Sequence, residues 1–116
     1  MTTVIMILIA LHALAGTFWV GSTFTLSRQG GAGSEALFRP QMGAAVVAML
    51  TGAGLWHLLH AAGFGASEKV LMLGALAAIA AAGVQGALKK KPAVAQRIAA
   101  VLLAVTVICM VVSRYV

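Results

Sequence analysis

The chain has 116 residues, of which 62% are hydrophobic and 9% charged, with a mean hydropathy of +1.05. A water-soluble domain carries about a quarter charged residues, so this composition excludes a water-facing globule and points to lipid as the solvent. The net charge of +6 does not signal nucleic acid. Six of the eight Lys/Arg residues (Arg28, Arg39, Lys89, Lys90, Lys91 and Arg97) lie in or beside two short polar segments, as topology determinants do, with no Arg-rich helix or aromatic platform beside them.

The first apolar stretch runs from about Val4 to Leu26. Ala13-Leu14-Ala15 resembles a signal-cleavage site, but no Lys or Arg precedes it and the apolar run continues beyond it, so a retained helix is expected. A Gly-, Ser- and Arg-rich connection, Ser27–Pro40, follows. The second stretch spans Gln41 to Ala62, with Pro40 at its start, where a missing N–H costs little. After Gly63–Glu68, in which Ser67 is the expected N-cap, comes the third, Lys69 to Leu88. Lys89–Val94, containing Pro92, leads into the fourth, Ala95 to Arg114. Each stretch holds roughly 20 residues, enough to cross a ~30 Å hydrocarbon core at ~1.5 Å per residue. The sequence therefore predicts an all-α, integral membrane, up-down four-helix bundle forming a single transmembrane domain, residues 1–116.

Orientation follows from charge. With the N-terminus outside, the first and third connections face the cytoplasm with the six basic residues named above, leaving Lys69 and Arg114 opposite. Both termini outside, in a bacterial inner membrane, is the expected arrangement. Small residues at four-residue spacing, Gly74, Ala78, Ala82 and Gly86, form a ridge on the third helix, and Gly16, Gly52 and Gly54 add others. Close packing inside the bundle is the expected role. Cys109 is the single cysteine, so no intrachain disulfide forms, and its apolar surroundings make it a small hydrophobe.

Polar groups within the apolar stretches carry the functional information, because lipid penalises them: His12, His57, His60, Lys69, Gln85, and the indoles of Trp19 and Trp56. Counting ~1.5 Å per residue from the outer boundary puts His12 about 12 Å deep, His57 about 8 Å and His60 about 3 Å, with Lys69 opening the third helix on the same side. Histidines on facing helices at similar depth can hold haem iron in an apolar bundle. On this reading His12 and His57 are the metal ligands, with His60 as alternate. Lys69 meets a propionate at the mouth, and Trp19 packs on the macrocycle. The plainer reading makes each residue structural, with histidine bonded to a carbonyl or facing water, tryptophan packed or interfacial, and lysine snorkelling. Copper bound by His12, His57 and His60 is a second cofactor reading, although Met6, Met42, Met49, Met72 and Met110 form no close thioether cluster. Glu35 and Glu68 are the only acids, both expected in connections, so no hydrolytic constellation emerges.

The segment Ala10-Leu11-His12-Ala13-Leu14-Ala15-Gly16-Thr17-Phe18-Trp19-Val20-Gly21 resembles the opening helix of two related membrane families, the HemJ-type protoporphyrinogen oxidases and the membrane domain of the copper-resistance protein D family. Leu37-Phe38-Arg39, Met42 and Gly54-Leu55 resemble the second helix of the HemJ type, and Lys69 matches a lysine at the start of its third. The HemJ aromatic–His pair in the third helix has no counterpart among the alanines here. The resemblance implies a b-type haem or porphyrin, with His12 as axial ligand and Lys69 as the residue serving activity. The activity implied is porphyrinogen oxidation, with electrons passed to a quinone or respiratory-chain partner. Arg39 is expected to anchor the cytoplasmic face. A copper-handling protein, a non-catalytic subunit docking a partner helix on the Gly74–Gly86 ridge, and self-association into a homo-oligomer are the alternatives.

Overall fold

A computed structural model describes residues 1–60 and 62–116. It contains four helices: α1 (Thr2–Arg28), α2 (Ser34–His60), α3 (Ala66–Ala87) and α4 (Pro92–Val112), the last followed by a 3-10 turn, Ser113–Tyr115. All four are long and apolar enough to cross a membrane. The molecule is 42 Å along its longest axis, close to a bilayer's ~40–45 Å including headgroups. Leu14, Leu50, Leu73, Val101 and Ile108 are each more than half exposed, which suits acyl chains and would cause aggregation in water.

Most helix ends lie within three residues of those predicted; the start of α2 does not. It begins at Ser34 rather than Gln41, so Pro40 lies inside the helix. Ser34-Glu35-Ala36-Leu37-Phe38-Arg39 contains good helix formers, and the helix continues through Pro40 although its ring lacks the N–H that the Ala36 carbonyl would have received and crowds that carbonyl. The connection shrinks to Gln29–Gly33, where Gly30, Gly31 and Gly33 take positive φ of 64°, 86° and 90°. The Gly31 N–H bonds back to the Leu26 carbonyl at 2.8 Å and closes α1. The predicted end of the second helix crosses residue 61, which lies outside the described residues; Ala62 is in a turn.

Ser67 is not the N-cap of α3. Gly65 holds that position, and the Glu68 carboxylate accepts its N–H at 2.9 Å. Ser67 instead donates to the Ser113 carbonyl at 2.8 Å, tying the start of α3 to the end of the chain. Pro92 occupies the first turn of α4, where its missing N–H is harmless.

Two hairpins, α1–α2 and α3–α4, each pack along their length, and the α1–α4 contact joins them; α2 and α3 touch only sparsely. The core sets two large side chains, Trp19 and Leu103, among small ones: Ala45, Ala48, Ala78, Ala81 and Ala99. Alanines let the backbones approach, as lipid-embedded helices require. The Gly74–Ala78 half of the predicted ridge on α3 is used in the same way, whereas a Cβ on Gly86 would meet open space. A Cβ on Gly74 would lie 2.9 Å from the Cys109 Cβ, and the Thr106 hydroxyl donates to the Gly74 carbonyl at 2.9 Å. At Gly74 and Ala78, both buried, the ridge packs within the bundle and is not free to dock a partner.

Candidate functional site

A closed polar ring links all four helices near the end that carries the first and third connections. Thr23 of α1 donates to the Trp19 carbonyl at 2.7 Å and accepts from Gln41 of α2 (3.1 Å) and Gln85 of α3 (2.9 Å). Gln85 donates its other N–H to the side-chain oxygen of Gln96 of α4 (3.1 Å), and Gln96 donates to the side-chain amide oxygen of Gln41 (3.3 Å). The Trp19 indole N–H fills the Gln85 oxygen at 2.8 Å. All five side chains are buried. Each amide oxygen in the ring has a donor, so burial leaves no acceptor orphaned. Of these residues, sequence reasoning singled out Trp19 and Gln85; it missed Thr23 and Gln96 and read Gln41 only as a helix start. Three glutamines within apolar stretches were the available signal.

Toward the end that carries the chain termini, the sparse α2–α3 contact opens a groove of about 1460 Å³. Its walls are largely apolar, and it includes His12, Trp19, Trp56, His57, His60 and Arg114.

His12 is half-buried and rests on α2: a Cβ on Gly52 would lie 3.1 Å from its Cε1 atom, so glycine leaves room for the imidazole. Its Nδ1 lies 2.9 Å from the Ala48 carbonyl and 3.1 Å from the Thr51 hydroxyl oxygen. A carbonyl only accepts, and Thr51 directs its proton to the Val47 carbonyl at 2.7 Å. Nδ1 of the neutral ring therefore carries the proton, and Nε2 holds a lone pair with no protein partner among the described residues. A ring fixed through Nδ1 by a backbone carbonyl is the usual posture of a metal-ligating histidine.

His57 also lines the groove but is exposed. It lies five residues beyond Gly52, about 140° around α2 and ~7.5 Å along it. Gly52, against which His12 packs, and His57 thus lie on different faces of α2, an offset that depth counting alone could not reveal. His60 pairs through Nδ1 with Glu68 at 2.5 Å, and its ring lies 5.9 Å from that of Trp56, which in turn lies 6.3 Å from Phe64. These aromatic rings gather at one end, as at a membrane–water boundary.

Trp19 reaches the groove floor, but its indole N–H is taken by Gln85. Lys69 is exposed and does not line the groove; Arg114, which sequence reasoning left as a topology charge, does. Arg39 lies at the opposite end of α2, in a separate recess with Lys89 and Lys90. Among the described residues, no three His, Cys, Asp or Glu side chains converge on a point.

Fold and site together define a membrane-type four-helix bundle with a polar ring at one end and a histidine-bearing groove at the other. Comparison with protein-family models, curated proteins and solved structures finds no match.

Proposed function

We propose that the groove binds a porphyrin-class macrocycle, b-type haem or a porphyrinogen, with His12 Nε2 as the axial ligand. The observation carrying this reading is the His12 ring, fixed through Nδ1 by Ala48 with its remaining lone pair free in a largely apolar groove. The groove exceeds the ~300–1000 Å³ of ordinary small-molecule pockets. His57, His60 and Arg114 form a polar rim suited to a macrocycle's carboxylates, and Arg114 takes the role expected of Lys69. One protein ligand leaves the opposite face open, which suits substrate access better than the paired ligation by His12 and His57.

The test is an absorption spectrum of the detergent-purified protein after haem titration. Wild type is expected to give a Soret band that shifts on reduction. His12→Ala should lose it, His57→Ala should retain it, and Arg114→Gln should bind more weakly. Retention of the band in His12→Ala would refute the assignment. Porphyrinogen oxidation, with electrons passed to a quinone or respiratory-chain protein, is the activity to assay once binding is established.

The orientation belongs to the same proposal: both termini outside a bacterial inner membrane, with the basic first and third connections inside. A Gln29→Cys variant should react with an impermeant thiol reagent only from the cytoplasmic face; reaction from the outer face alone would reverse the topology.

A further inference from the structure

We propose that the recess at the other end of the bundle, between the start of α2, the end of α3 and the start of α4, binds a phosphate group carried by an anionic lipid or free in solution. The recess measures about 630 Å³ and contains Ser34, Arg39, Lys89, Lys90, Gln85 and Gln96, with Glu35 as its one carboxylate. It is distinct from the groove and independent of any macrocycle there.

The first observation is Ser34. It is 8% exposed, and its hydroxyl is the one buried side-chain polar atom among the described residues with no hydrogen-bond partner. An unpartnered buried hydroxyl is costly, and one rotation would let it donate to a phosphate oxygen. Ser34 also opens α2, where the helix dipole and first-turn N–H groups favour an anion. The N–H groups of Ser34 and Leu37 are taken by Gly31 and Gly33; those of Glu35 and Ala36 have no acceptor among the described residues.

The second observation is charge. Arg39, Lys89 and Lys90 converge from two elements, and none of them forms a salt bridge among the described residues. The Lys89 ammonium sits 5.4 Å from the centroid of the Phe38 ring. Cations brought together at a helix end repel unless an anion joins them, and Glu35 offsets only one. The exposed Lys89 and Lys90 lie just beyond the end of α3, level with lipid phosphates if α3 crosses the bilayer. Basic recesses between membrane helices bind headgroups through this chemistry, with each cation contributing about fivefold in affinity.

The experiment is a thermal-unfolding titration of delipidated protein in maltoside detergent, comparing phosphatidylglycerol, phosphatidylcholine and inorganic phosphate. A saturable rise in the unfolding midpoint with phosphatidylglycerol but not phosphatidylcholine is expected. Inorganic phosphate producing the whole rise would identify the free anion as the source. Lys89→Gln with Lys90→Gln should weaken the apparent affinity by about 25-fold, at roughly fivefold each. Ser34→Ala should weaken it without lowering the ligand-free midpoint, and Glu35→Gln should strengthen it. Equal response to the two lipids with none to phosphate, or an unchanged affinity in the double lysine variant, would overturn the proposal.

Discussion

Trp19 is the residue on which both halves of the site depend. Its ring fills the space among Ala45, Ala48, Ala78, Ala81 and Ala99, and its N–H completes the hydrogen bonding of Gln85. Gln85 in turn bonds to three partners: Trp19, Thr23 and Gln96. Interhelical hydrogen bonds in membranes average only ~0.6 kcal/mol each. Gln85→Leu is therefore expected to destabilise the fold by about 2 kcal/mol, three such bonds, in a reversible detergent-denaturation experiment. A variant as stable as wild type would show that the ring contributes nothing net. His12 gains its posture by a similar local device: Gly52 makes room, and the Ala48 carbonyl fixes the ring.

At the scale of elements, the first connection sits tightly against the start of α4. A Cβ on Gly31 would fall 2.6 Å from the Ala93 nitrogen and 2.6 Å from the Pro92 carbonyl carbon, at a φ of +86°. Gly30, at +64°, has open space around the same position. Gly31→Ala should therefore cost more than Gly30→Ala, by roughly 1–3 kcal/mol for the added steric conflict. Equal costs in the same denaturation assay would mean that the connection moves away from α4 readily. The four spans were legible in the sequence because uninterrupted apolar length is itself the constraint lipid imposes. The start of α2 was not, because Pro40 and the neighbouring glycines look like a loop until tertiary contacts decide otherwise. The polar ring was only half legible: glutamines can be counted along a chain, but which of them face one another depends on helix rotation. The offset between His12 and His57 was hidden for the same reason.

For the whole molecule, the two hairpins meet through α1–α4 and the polar ring rather than through the α2–α3 connection. The covalent link near Gly63 then acts chiefly as a tether that raises effective concentration. Chains covering residues 1–63 and 64–116, expressed together, are expected to copurify, and Gln41→Leu with Gln96→Leu should weaken that association. Halves that never copurify would show that the tether carries the assembly.

The gap between α2 and α3 has a consequence for how any occupant arrives. A solute already dissolved among acyl chains can slip sideways through that seam by two-dimensional diffusion, without crossing bulk water. Occupancy would then follow the solute's membrane partition coefficient rather than its aqueous concentration. Affinities measured in micelles would shift with the detergent-to-protein ratio, whereas those measured in bilayer discs would scale with mole fraction in lipid.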